Sequence, residues 1–293
     1  MSESLNKSLP LASFDVGDVL KKRLPGISKY LPDFVVNWLR RLICQRELNE
    51  ILRESHGAVD LEFIRTALRY LNVTIAIEGE ENLPPSGRCI FAANHPLGGL
   101  DGLIMLQVLG DHYGDGVKFI VNDLLMAVVP CRGMFLPVNK FGSQSQDLAQ
   151  GLTQALSGDA PVATFPAGLC SRMDHGTDVC DREWKKSFVA KAIEHQRGIV
   201  PVYFHARNSQ RFYKIARWRE KLGIKFNLEM LLLPREMIGS RGSVIRMVIG
   251  KPIPSSSLAN APARDKAREI KAIVYALAQG IGASNLNPPS CKQ

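Results

Sequence analysis

A chain of 293 residues with 45% hydrophobic and 22% charged residues can build a large packed core, which excludes an intrinsically disordered protein. No apolar run approaches the roughly 20 residues that a membrane-spanning helix needs, so no span is expected. The balance of 37 Lys and Arg against 28 Asp and Glu leaves a net charge of +9, which points to an anionic partner: a membrane surface, a nucleic acid or an acidic carrier protein. The six cysteines (Cys44, Cys89, Cys131, Cys170, Cys180 and Cys291) form no CxxC pair and no zinc-type spacing, so no metal site is expected. The opening Met1-Ser2-Glu3-Ser4-Leu5-Asn6-Lys7 has no apolar core followed by a cleavage site. A cytosolic protein, or one held on a membrane without crossing it, is expected.

In chain order, residues 1–30 are polar and irregular, with a basic cluster at Lys21-Lys22-Arg23. Phe34, Val35, Trp38, Leu39, Leu42 and Ile43 then recur at spacings of three and four and predict one amphipathic helix over 32–53. Arg40, Arg41 and Arg46 interrupt that stripe, a composition that suits a helix lying in a bilayer interface and equally one packed on its own domain. A second helix is expected over 61–71, with Phe63, Ile64, Ala67, Leu68 and Leu71 on its apolar side. From Val73 the texture alternates. Strands are predicted at 73–77, 89–93, 117–121, 135–138, 162–165, 199–204 and 244–249. Helices fit at 100–109, 124–128, 145–157, 184–196, 212–222 and 264–278, before a polar tail. This alternation predicts an α/β fold, a largely parallel mixed sheet flanked by helices, with an N-terminal amphipathic helical segment. The expected division is a helical, membrane-interfacial segment over 1–72 and an α/β domain over 73–293.

The stretch Phe91-Ala92-Ala93-Asn94-His95-Pro96-Leu97-Gly98-Gly99-Leu100-Asp101 places His95 where a buried strand stops and a helix is about to start. That is the edge on which open α/β sheets bind their ligands. Asp101, at the start of that helix, is placed to turn back and accept a hydrogen bond from one imidazole nitrogen, leaving the other to take a proton from a substrate hydroxyl. Three further segments fall at predicted strand ends: Arg132-Gly133 through Asn139-Lys140, Phe165-Pro166-Ala167-Gly168 through Ser171-Arg172, and Val200-Pro201-Val202. A Phe-Pro-x-Gly turn after a strand directs backbone N–H groups outward, as an oxyanion or anion site requires.

Together and in this order these four blocks resemble the glycerolipid acyltransferase superfamily, typified by lysophosphatidic acid acyltransferases. The resemblance covers roughly residues 73–253. Asn94-His95 with Asp101 matches its Asn-His-x4-Asp, Gly133 to Asn139 its Gly-x-x-Phe-Ile-x-Arg, and Phe165-Pro166-Ala167-Gly168 with Ser171 its Phe-Pro-Glu-Gly-x-x-Ser. Five residues instead of four separate His95 from Asp101, and Gly98-Gly99 is expected to absorb the extra one. Ala167 replaces a glutamate, and Asn139 stands where the family has an arginine associated with the acceptor's phosphate. An Asn cannot supply that charged fork, so a different acceptor is expected. The wording around His95, Val121 to Met126 and Phe165 to Arg172 is similar to a bacterial branch, the hemolysin-like O-acyltransferases of ornithine- and glycine-type lipids. That implies transfer of a fatty acyl chain to the 3-hydroxyl of an N-(3-hydroxyacyl) amino acid.

What the resemblance implies is direct acyl transfer, with His95 as general base, Asp101 orienting it, and N–H groups around Gly168 forming part of an oxyanion hole. Neither Cys170 nor Ser171 sits on a Gly-x-Ser-x-Gly elbow, so no covalent enzyme intermediate is expected. Asn94, Gly133, Asn139, Phe165, Pro166, Gly168 and Ser171 are the expected substrate-binding positions. Arg172, Lys185 and Lys186 are expected to grip an acceptor carboxylate or the donor's phosphates. The donor is expected to be an acyl thioester of acyl carrier protein or coenzyme A, with no other cofactor. The expected place of action is the cytoplasmic face of the inner membrane, on an anionic membrane surface and with a lipid acceptor. A lysophospholipid acyltransferase and a non-catalytic lipid-binding module are the alternatives. A nucleic-acid partner is not expected, because no RNP-type motif, zinc spacing or recognition helix accompanies the basic charge.

Overall fold

The computed structural model describes residues 13–23, 26, 29–138, 146–173 and 178–279. Ahead of the sheet the described residues form the helices α1 (Val16–Arg23), α2 (Asp33–Leu42), α3 (Gln45–Glu54) and α4 (Asp60–Tyr70). The single helix expected over 32–53 is broken at Cys44, which takes the left-handed conformation at φ 51° and ψ 46°. Burial explains the break. Leu42 packs with Phe212, Tyr213 and Leu232, whereas Ile51 joins the main core, and a straight helix cannot serve both places. Asp15 binds the ends together, accepting from Arg40 Nε at 2.9 Å and from Gln45 Nε2 at 2.9 Å.

The strands are β1 (Thr74–Glu78), β2 (Cys89–Ala93), β3 (Lys118–Asn122), β4 (Phe135–Val138), β5 (Val162–Thr164), a short hairpin of β6 (Arg172–Met173) and β7 (Val179–Cys180), then β8 (Gly198–His205) and β9 (Val244–Ile249). Between and after them lie α5 (Leu100–Tyr113), α6 (Gln146–Ser157), α7 (Ser187–Glu194), α8 (Gln210–Lys221), α9 (Leu233–Gly239) and α10 (Ala263–Ala276). Seven strands form one sheet in the order β1-β9-β8-β2-β5-β3-β4. Neighbours pair in parallel except β8 with β9, so the sheet is largely parallel and mixed. The expected strands are all present, within a residue of their expected ends.

Strand β2 is buried at every position, as a central parallel strand covered on both faces must be. Its Phe91 and Ala93 face a core shared with α4 and α5, while Ile90 and Ala92 face α6, α7 and α10. Each of the larger side chains so buried contributes roughly 1.5–3 kcal/mol. Arg197, fully buried, donates to the carbonyls of Leu156, Ala155, Ala160 and Gly158 at the end of α6 and so satisfies a helix terminus. The helix expected over 124–128 is instead two 3-10 turns, Asp123–Ala127 and Val129–Met134. Pro130 explains this, since it lacks an N–H and disfavours the helical conformation of the residue before it. The hairpin β6–β7 and the segment from the turn Leu228–Leu232 into α9 were not anticipated; both are short and carry no long periodic run.

Candidate active site

Strand β2 leaves the sheet at Asn94. The Asn94 amide takes the place of a strand neighbour, with Nδ2 donating to Phe204 O at 3.0 Å and Oδ1 accepting from Phe204 N at 2.7 Å. Asn94 is therefore a buried tether between β2 and β8, and the next residue, His95, is turned off the sheet edge. His95 Nδ1 lies 3.0 Å from Asp101 Oδ2. The fully buried Asp101 also accepts from Leu97 N at 2.9 Å, Gly98 N at 3.3 Å and Gly102 N at 3.0 Å. A carboxylate so surrounded by donors assigns the imidazole proton to Nδ1 and leaves Nε2 for a substrate proton. Between His95 and Asp101, Gly98 sits at φ +75°, where an added Cβ would meet the Leu233 side chain at 2.7 Å. Phe165 stacks on the imidazole, with ring centroids 3.9 Å apart and planes 19° apart, and so fixes the ring's tilt.

Phe165 opens the turn that follows β5. Its carbonyl accepts from Gly168 N at 2.9 Å, and Gly168 sits at φ +65°. Of the N–H groups around Gly168 expected to serve an oxyanion, that of Gly168 itself closes its own turn. Pro166 O accepts from Lys185 N at 3.1 Å, and the Lys185 ammonium lies 3.4 Å from where a Cβ on Gly168 would stand. Ala167 is buried on the opposite face of the sheet from Phe91, so a glutamate there would lead into an apolar cluster.

Ser171 and Arg172 are both held by partners within the protein. Ser171 N donates to His95 O at 2.8 Å and its hydroxyl donates to Asp181 Oδ1 at 2.5 Å, so it braces the histidine's backbone. Arg172 donates through Nη1 to Cys170 O at 2.7 Å and through Nη2 to Glu229 Oε1 at 2.6 Å, and its guanidinium lies over the Phe212 ring. Those contacts tie Arg172 to Cys170, Glu229 and Phe212. Gly133 packs against Asp60 at the start of α4, whose Oδ2 would be 2.2 Å from an added Cβ. Asn139 lies outside the described residues.

Asp181 is the site residue that reading the chain did not single out. Oδ1 accepts from His95 N at 3.2 Å and from Ser171 Oγ, Oδ2 accepts from Trp184 Nε1 at 2.8 Å, and its own N–H donates to Tyr275 Oη at 2.6 Å. Burial raises its pKa above the ordinary 3.8, while the Ser171 and Trp184 donors pull it back. Nothing in Asp181-Arg182-Glu183-Trp184 marks it in sequence. A cavity of about 380 Å³ lined by Glu183, Trp184, Lys185, Lys186 and Arg264 adjoins this loop. A larger one of about 650 Å³ is lined by Glu54, His56, Thr66, Arg69, Tyr70, Asn72 and Arg241 and contains none of the expected site residues.

With this geometry in place, comparison with known proteins decides the family. The family model described as Acyltransferase matches residues 18–284. The chain belongs to the acyltransferase family. Among curated relatives of this acyltransferase, the lyso-glycine lipid O-acyltransferase of Phocaeicola vulgatus is 42% identical over 265 residues, covering 90% of this chain and 94% of that one. The protein of the same name from Bacteroides thetaiotaomicron is 40% identical over 265 residues, covering 90% and 97%. A solved structure of the 1-acyl-sn-glycerophosphate (LPA) acyltransferase PlsC from Thermotoga maritima aligns at 15% identity and a TM-score of 0.48, over 91% of this chain and 97% of that one. That likeness is too loose to bear on the site.

Proposed function

We propose that this acyltransferase moves a fatty acyl chain from a thioester to the 3-hydroxyl of an N-(3-hydroxyacyl)glycine, a lyso-glycine lipid. The observation that carries the reading is the His95–Asp101 pair, with Nδ1 held 3.0 Å from a buried carboxylate and Nε2 left for the acceptor. The acceptor is supported by two relatives, at 42% and 40% identity, that are named lyso-glycine lipid O-acyltransferase. His95 Nε2 takes the hydroxyl proton as the acceptor oxygen attacks the thioester carbonyl. The C–S bond then breaks, and the thiolate leaves with the proton returned from the imidazolium. Asp101 steadies the imidazolium between those steps without becoming protonated. Lys185, beside the Gly168 turn, is the proposed contact for the acceptor carboxylate; Arg172, held by Glu229, is not. The donor is an acyl thioester of carrier protein or coenzyme A, and the proposed site of action is the cytoplasmic face of the inner membrane. Among the described residues no helix is long and apolar enough to cross a membrane, and contact through the amphipathic α2 fits a peripheral enzyme. Purified protein offered a radiolabelled acyl thioester and N-(3-hydroxyacyl)glycine should form the diacylated product. Preference for lysophosphatidate would overturn the acceptor and keep the chemistry. A Lys185→Ala variant should raise the acceptor KM more than it lowers kcat.

A further inference from the structure

Helix α8 and the loop after it carry a surface that acyl transfer does not use. Phe212, Tyr213, Ala216 and Arg219 form the buried side of α8. At helical spacing on the other side run Arg211, Lys214, Trp218 and Leu222, and Phe226 follows in the loop. Trp218 is 63% exposed, Leu222 55% and Phe226 64%. Arg211, Lys214, Lys221 and Lys225 stand exposed among them. Between Gln210 and Leu228 the one acidic residue is Glu220, and it is already paired with Arg182 and Arg219.

This surface is fixed to both α2 and the catalytic loop. Leu39 and Leu42 of α2 pack in one apolar cluster with Phe212 and Tyr213 of α8 and with Cys170 beside the site. The same helix α2 leaves Phe34 and Trp38 exposed. Glu229, fully buried, lies 2.6 Å from Arg172 Nη2 and 2.9 Å from Arg219 Nε, so an ionic triad ties α8 to β6 immediately after Ser171.

We infer that Trp218, Leu222 and Phe226 enter the interfacial layer of an anionic bilayer, with Arg211, Lys214, Lys221 and Lys225 on its headgroups, as a second membrane contact beside α2. The inference rests on the membrane reading above and goes beyond it by assigning a second docking element. Exposed apolar tips interleaved with basic residues, and no net acidic charge, are the composition that an anionic lipid interface selects. Contact here would hold the cluster containing Cys170 next to the lipid phase from which a single-tailed lipid acceptor must come.

The test uses the full chain and vesicles of phosphatidylglycerol and phosphatidylcholine with brominated acyl tails, which quench tryptophan on contact. The chain has three tryptophans, Trp38, Trp184 and Trp218, and Trp184 is buried. A Trp38→Phe variant should still be quenched and blue-shifted by these vesicles, and the double variant with Trp218→Phe should lose the effect. Replacing Trp218, Leu222 and Phe226 together by Ser should weaken vesicle partition at least ~10-fold, with acyl transfer from detergent-dispersed acceptor retained. Quenching that vanishes in Trp38→Phe and persists in Trp218→Phe would confine contact to α2 and overturn the inference, leaving the membrane reading intact. No vesicle binding by the parent chain would sink both. Shielding of Trp218 by acyl carrier protein but not by vesicles would also overturn it, making the surface a carrier site.

Discussion

Replacing Asp101 by Asn keeps the shape of the side chain and removes its charge. Oδ2 lies 3.0 Å from His95 Nδ1 and also accepts from Leu97 N and Gly98 N, while Oδ1 accepts from Gly102 N. An amide has one carbonyl oxygen, so whichever way it turns, an NH2 group meets a backbone N–H. That mismatch costs about 1–3 kcal/mol of stability. The larger loss falls on the reaction. An imidazolium and a carboxylate with charge centres about 4 Å apart attract by about 4 kcal/mol at an effective dielectric constant of ~20. Losing that attraction when the imidazolium forms corresponds to roughly a thousandfold in rate. Steady-state acyl transfer by Asp101→Asn should therefore show kcat lower by about 10²–10³, with the acceptor KM changed by less than about threefold. A variant that keeps more than about a tenth of the parental kcat would refute the role given to the pair.

Other perturbations have equally definite outcomes. Asp181→Ala leaves His95 N, Ser171 Oγ and Trp184 Nε1 without their acceptor, so it should lower stability by about 3 kcal/mol, seen as a fall in Tm, and lower kcat. An unchanged Tm would contradict the brace. Glu229→Gln strands Arg172 as a buried cation and leaves Arg219 with Glu220 alone, and should cost about 3–5 kcal/mol in denaturant unfolding; a loss under about 1 kcal/mol would show the triad to be idle. Asp15 is held well below its ordinary pKa of 3.8, first by the Arg40 hydrogen bond, so its contribution is present above that value and is lost as pH falls below it. The Tm difference between the parent and Asp15→Asn should accordingly be full at pH 7 and shrink from about pH 4 downward, and a difference independent of pH would reject the linkage.

The readable parts of this molecule are the local ones. His95 and Asp101 are six positions apart, and the strand end, the Gly98 turn and the helix start between them are all written in residue type. The strands of the sheet follow from buried apolar runs, because a strand covered on both faces must be apolar throughout. What stayed hidden depends on partners distant in the chain. Asp181 reaches His95 across 86 positions, and Arg172 reaches Glu229 across 57. Arg172 looked like an anion grip because a cation ending a motif invites that reading, and a buried glutamate on a later 3-10 turn leaves no mark in sequence. Gly168 illustrates the same limit at short range. Its turn was legible, but the donation of its own N–H to Phe165 O follows from closing that turn at φ +65°. The break at Cys44 was likewise decided by burial, since Leu42 and Ile51 belong to separate clusters.

Esterification of a lyso-glycine lipid by this protein should depend on His95. The most direct measurement follows labelled acyl groups from a thioester in the presence of N-(3-hydroxyacyl)glycine and lysophosphatidate together, for the parent and His95→Ala. Label should accumulate on the glycine lipid, with little on lysophosphatidate, and transfer should fall at least ~10³-fold in the variant. Equal transfer by parent and variant would contradict the dependence on His95.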